Sequence, residues 1–174
     1  VHGVYSLLLH TGSEIYTMRD TFGVRPLVVG KSKRGICVAS ESTAFDGYRL
    51  VRDVAPGEII RLFDGKFETV FRKGAVEPRY CIFEYIYFMR PDTIANEQHV
   101  ESTRFRLGEN LAKQEDLTFD PETTIVVGAP RTAIVPARGY AFELGLPHDQ
   151  VLDKLPNYGR TFILPENKER IEVC

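Results

Sequence analysis

Arg19-Asp20-Thr21-Phe22-Gly23-Val24-Arg25-Pro26-Leu27 is the stretch on which the reading of the fold turns. Three charged residues crowd around a Gly and a Pro, and an apolar pattern resumes at Leu27. Charges held in a turn between two apolar segments suit a buried, salt-bridged scaffold, so Arg19, Asp20 and Arg25 are expected to be structural rather than to contact a substrate directly.

Outward from this turn the sequence divides into short β-strands: Val4 to Leu9, Glu14 to Met18, Leu27 to Val29, Ile36 to Ala39 and Glu58 to Phe63. Thr11-Gly12-Ser13, Lys33-Arg34-Gly35, Pro56-Gly57 and Asp64-Gly65 supply the turns. The pattern predicts a β-meander. Ser42 to Asp46 is expected as one helical turn, capped by Ser40 or Ser42 and ended by Gly47.

A second pattern begins after Lys73-Gly74. Cys81 to Phe88 is rich in aromatic and β-branched residues, and Pro91-Asp92 stops it. Val100 to Lys113 places Val100, Phe105, Leu107, Leu111 and Ala112 at helical spacing, with Arg104, Arg106 and Glu109 among its polar positions. Thr124 to Ala129 reads as a strand buried on both faces of a parallel sheet, and Ile134 to Leu144 as a helix ended by Gly145. The fold class is therefore α+β over residues 1–73, then α/β over 74–174.

A net charge of −2 over 174 residues argues against a strong electrostatic hold on nucleic acid or an anionic membrane. Apolar runs such as Tyr5 to Leu9 fall well short of the roughly 20 residues that cross a bilayer. With no basic leader in front of them, a cytoplasmic location is expected. Cys37, Cys81 and Cys174 lack CxxC spacing, which favours reduced thiols over a disulfide framework or a zinc site. Cys37, between Ile36 and Val38, is expected to be an inert packed thiol. His2, His10, His99 and His148 show no ligand spacing, and Glu166 to Glu172 reads as a solvated helix or tail.

Six blocks in order resemble the glutamine phosphoribosylpyrophosphate amidotransferase (amidophosphoribosyltransferase) family: Gly3 to Leu7, Arg19 to Leu27, Val38 to Ser42, Val51 to Glu58, Cys81 to Asp92 and Tyr158 to Ile163. The first three are shared with other class II amidotransferases such as asparagine synthetase, so the block from Cys81 and the one around Gly159 separate them. The resemblance implies the middle portion of such an enzyme. Residues 1–73 would be the later half of an N-terminal-nucleophile (αββα) glutamine amidotransferase domain, and residues 74–174 the opening of a type I phosphoribosyltransferase domain.

In that family the nucleophilic cysteine stands first in the mature chain, whereas this chain opens Val1-His2-Gly3. The resemblance thus implies no catalytic residue here, and the chain alone is expected to be inactive. Its implied substrate contacts are Arg131 and Thr132 in a pyrophosphate loop, Ala129 to Ala133, together with Lys154, Tyr158, Gly159, Arg160 and Thr161 in a lid that closes over phosphoribosylpyrophosphate. Two departures stand out. Family members have an acidic residue where Arg131 stands, which fits either tighter phosphate binding or a decayed site. Leu155-Pro156-Asn157 departs from the Asn-Arg-Tyr of the family's lid, losing an arginine and adding a rigid proline.

The implied cofactor is Mg²⁺ on the pyrophosphate. Cys81 aligns with a ligand of a [4Fe–4S] cluster in some members, but such a cluster needs about four thiolates, so Cys81 is read as structural. Glutamine and phosphoribosylpyrophosphate are the implied partners, with a homo-oligomer or a partner supplying missing domains. The rival reading is a non-catalytic protein that keeps the fold to bind a nucleotide or phosphate or to scaffold another subunit.

Overall fold

The computed structural model describes residues 2–74, 76–154 and 165–173. Its first part is a pair of facing antiparallel sheets. β1 (Ser6–His10), β2 (Ile15–Arg19), β6 (Glu58–Phe63) and β7 (Lys66–Arg72) form one, in the order β1-β2-β6-β7. β3 (Val28–Ser32), β4 (Gly35–Ala39) and β5 (Arg49–Asp53) form the other, in the order β4-β3-β5. The chain leaves the first sheet after β2, builds the whole of the second, and returns at β6, so the expected single meander is replaced by two interleaved sheets.

Leu27, Val29, Val54 and Ile60 are buried to 1% exposure or less and fill the space between the sheets, with Ile36, Val38 and Phe67 packed against them. Each such side chain contributes about 1.5–3 kcal/mol of transfer free energy. The αββα expectation is met in its two sheet layers. Among the described residues before Gly74, the only helical piece is a 3₁₀ turn at Ser42–Ala44. Neither Ser40 nor Ser42 caps it; the Ser42 hydroxyl instead accepts the Ile94 N–H at 2.8 Å.

Residues 82–88 turn out helical, ending in a π turn at Glu84–Phe88. A short hairpin of β8 (Ile94–Ala95) and β9 (Gln98–His99) leads into α1 (Val100–Ala112). The buried positions of α1 are Val100, Arg104, Gly108 and Ala112, a strict i, i+4 stripe. Leu111, expected inside, is 60% exposed, and Arg104, expected outside, is buried. Arg104 is held inside by the Tyr85 and Met89 carbonyls, while α2 (Ile134–Leu144) approaches so closely that only glycine fits at the crossing. A methyl group on Gly108 would overlap the Pro136 carbonyl, and one on Gly139 the Phe105 carbonyl.

Thr124 to Ala129 does not form the expected strand. It makes a single parallel bridge, Val126 to His148, with the Val126 N–H on the Pro147 carbonyl at 2.9 Å. A parallel strand needs a hydrogen-bonded neighbour along its length, and among the described residues this segment has one only at that bridge. α2 has the predicted bounds and ends at Gly145 with φ +66°, the left-handed cap that glycine adopts without strain. α3 (Asn167–Val173) covers the charged run near the C-terminal end.

Candidate functional site

Asp20 organises the turn that follows β2. Its carboxylate accepts the N–H groups of Phe22, Val24 and Arg25, each at 3.1 Å, while its own carbonyl accepts those of Gly23 and Gly57. Arg19, 2% exposed, donates to the carbonyls of Arg25 (2.7 Å), Val54 (2.7 Å) and Gly23 (2.9 Å) and to Asn96 Oδ1 (3.3 Å). Arg19 and Asp20 are therefore buried and satisfied mainly by backbone rather than by each other. Burial pushes the Arg19 guanidinium below its usual range, opposed by the field of Asp53 and, to a lesser degree, of Asp20.

Arg25 is set apart from this pair. Its side chain is 47% exposed and meets the buried Glu84 carboxylate at 2.5 Å. Burial raises the Glu84 carboxyl above the usual range; Arg25 lowers it and Glu41 adds to the rise. The ion pair does not offset the desolvation, because its cation is half in water. Arg25, Glu84, Glu41, Ser40 and Ser6 line a cavity of about 340 Å³ between the sheets and the Glu84–Phe88 turn.

The two parts of the chain are fastened by polar contacts that the sequence reading did not assign. Glu41 Oε2 accepts the Arg90 N–H (2.8 Å) and the Thr93 hydroxyl (2.7 Å). Asn96 donates its N–H to Asp53 (3.0 Å) and its side-chain amide to the Tyr85 hydroxyl (2.7 Å), while accepting from Arg19. Tyr85 and Met89 carbonyls in turn accept from the buried Arg104 at 2.6 and 2.7 Å. The one available signal was Asn96 itself, since asparagine tolerates the left-handed backbone (φ +48°) of a tight two-residue hairpin turn.

The second candidate region lies at the start of α2. Gln150 holds the preceding segment by donating to the Gly128 carbonyl at 2.9 Å. Gly128 leaves no room for a side chain, since a Cβ there would come 2.6 Å from the Ile134 Cα. No side chain caps α2, and Arg131 is exposed without an ion pair among the described residues. Thr132 is half-buried and Lys154 exposed. An uncapped helix start with a free arginine beside it is an arrangement that attracts an anion. Tyr158, Gly159, Arg160 and Thr161 lie outside the described residues.

Among the described residues no three His, Cys, Asp or Glu side chains converge on a metal position, so the side chains do not fit a protein-ligated cation. Cys37 and Cys81 are both free and half-buried, and two thiols do not make a cluster site. No described helix is long and apolar enough to cross a membrane.

No family model matches the chain. It is 38% identical over 170 residues to an amidophosphoribosyltransferase of Methanothermobacter thermautotrophicus, covering 97% of this chain and 35% of that protein. A Mycobacterium bovis protein of the same name is 38% identical over 173 residues, with 98% and 32% covered. A solved structure of glutamine phosphoribosylpyrophosphate (PRPP) amidotransferase from B. subtilis, complexed with ADP and GMP, superimposes with a TM-score of 0.84 at 35% identity, covering 98% of this chain and 37% of that one. A structure described as the allosteric regulatory enzyme of purine biosynthesis gives the same TM-score and identity over 36% of its length. The chain thus spans about a third of the length of the curated relatives it matches. In sequence and in fold, nearly the whole chain is homologous to a partial region of amidophosphoribosyltransferase.

Proposed function

We propose that this chain is a portion of a cytoplasmic amidophosphoribosyltransferase, which releases ammonia from glutamine and uses it to displace pyrophosphate from C1 of phosphoribosylpyrophosphate, yielding 5-phosphoribosylamine for purine synthesis. The observation that carries the reading is the joint likeness in sequence and fold over 98% of the chain. Residues 1–73 supply part of the glutamine amidotransferase domain and residues 74–174 part of the phosphoribosyltransferase domain. Arg19, Asp20 and Arg25 hold the wall of the glutamine chamber. They do so through the turn they rigidify, and none of them acts as nucleophile.

On the phosphoribosyl side, the backbone at the start of α2, with Arg131 and Thr132, cradles the pyrophosphate, and Lys154 with Tyr158, Gly159, Arg160 and Thr161 closes over it. An arginine there places positive charge where leaving-group charge develops. Mg²⁺ is assigned to the pyrophosphate of the substrate rather than to side chains of this chain.

The full-length protein, assayed for pyrophosphate release from phosphoribosylpyrophosphate and glutamine, should turn over, and Arg131→Ala should raise KM for phosphoribosylpyrophosphate about tenfold or more. Saturable phosphoribosylpyrophosphate binding with no pyrophosphate released would replace this reading with the non-catalytic one.

A further inference from the structure

A cavity of about 530 Å³ opens between β5, the Pro56 turn and the Asn96–Glu97 turn, away from the loop at the start of α2. Arg19 lines it from beneath. Four of its five N–H groups are taken by the acceptors named above, all of them neutral, and one Nη1–H has no acceptor among the described residues. The Tyr80 ring, also on the cavity wall, lies 5.7 Å from the guanidinium. This is a buried cation with no carboxylate at ion-pair distance among the described residues, Asp53 and Asp20 reaching it only through their fields.

Arg72 lines the same cavity, is exposed, and forms no ion pair among the described residues. A third arginine, Arg52, is already neutralised by Glu58 at 2.7 Å. Two carboxylates complete the lining. Asp53 has one oxygen on the Asn96 N–H and the other, Oδ2, without a donor among the described residues. Glu97 stands exposed at the rim on a left-handed backbone, φ +62°.

Two cations without an ion-pair partner, beside a carboxylate with a free acceptor, select among anions by their protons. An oxyanion that keeps an O–H can set its charged oxygens on the arginines and donate to Asp53. A fully deprotonated one of the same size meets Asp53 oxygen to oxygen and is repelled. We infer that this cavity binds a phosphate-type oxyanion that keeps a P–O–H, with Arg19 and Arg72 on its charged oxygens and Asp53 accepting its P–O–H. The cavity is larger than a bare phosphate, so a phosphomonoester fits it as well as inorganic phosphate does.

The test is calorimetric titration of the full-length protein with inorganic phosphate, glycerol 3-phosphate and sulfate at matched ionic strength near pH 5.5, about where both phosphates keep a P–O–H and sulfate has none. Phosphate or its monoester should bind saturably and sulfate at least about tenfold more weakly, with tighter binding of the monoester identifying it as the source. Arg72→Ala should weaken phosphate about tenfold, Asp53→Asn should erase the preference over sulfate, and Arg131→Ala should leave this affinity unchanged. Arg19→Gln risks the fold, so the surface variant Arg72→Ala carries the decision. Sulfate binding equal to phosphate, no saturable binding, or binding lost with Arg131→Ala but kept with Arg72→Ala would overturn the assignment. None of these readouts depends on turnover, so the outcome is separate from that of the proposed function.

Discussion

Glu58 and Glu84 are buried carboxyls with opposite pH consequences. Burial would raise Glu58, but the bidentate Arg52 pair, the Thr69 hydroxyl and the Ala55 N–H together outweigh it and hold the group below its usual range. A depressed folded-state value means that the stabilisation is present above the unfolded carboxylate pKa and is lost as pH falls through the folded one. Glu84, raised by burial, has the reverse sign, so its contribution fades as pH rises. Glu58→Gln should cost about 2–3 kcal/mol at pH 7, and the gap in Tm between it and the wild type should shrink as pH falls below the ordinary carboxylate range. A gap that stays constant over that range would show that Glu58 titrates normally. At this scale the burial of Arg19 and Asp20 in a turn was legible, but the salt bridge expected of them is replaced by backbone partners. The sequence was not legible for Glu41, Glu84 or Asn96, whose partners lie more than ten residues away.

Among the elements, helices α1 and α2 were readable because their periodicity and the Gly145 stop are local properties. What periodicity missed was which face of α1 points inward. The inward stripe is Val100, Arg104, Gly108 and Ala112: α2 meets it at backbone contact distance at Gly108, and the Tyr85 and Met89 carbonyls hold Arg104 inside. Gly139→Ala makes this measurable. Alanine gains about 1 kcal/mol of helix propensity over glycine, but its methyl meets a backbone carbonyl that cannot rotate away, at a cost of about 1–3 kcal/mol or more. The net effect expected in urea denaturation is a loss of about 1–2 kcal/mol, and a stabilised variant would show that the helices are not in close contact. β5 and β7 escaped the sequence reading because Arg49 to Asp53 and Lys66 to Arg72 mix charges into both faces. Thr124 to Ala129 was read as a strand on composition alone, but strand formation depends on a neighbour that a single segment cannot specify.

Over the whole molecule, large apolar side chains remain in water at both ends of the chain's path. Leu8, Leu9 and Phe71 on the first sheet are 51–58% exposed, and Ile125, Leu111 and Phe142 around the helices are 50–71% exposed. Patches of this kind mark surfaces that other protein covers. The 174-residue chain should enhance the fluorescence of an apolar dye such as ANS and self-associate at micromolar concentration in sedimentation experiments; a dye-silent monomer would contradict this.

The hydrogen bonds between Arg19, Glu41 and Asp53 on one side and Arg90, Thr93 and Asn96 on the other join residues 43 to 77 positions apart in the sequence. Closing a chain segment of this length costs entropy that grows only slowly with its length, about 0.6 kcal/mol per doubling, and one closure serves every bond in the group. After the first contact forms, the others become neighbours in space and follow at little further entropic cost. The seam is therefore expected to assemble late and all at once during folding, and to open as a unit, so that hydrogen exchange at Arg90 and Asn96 should report a single shared protection factor.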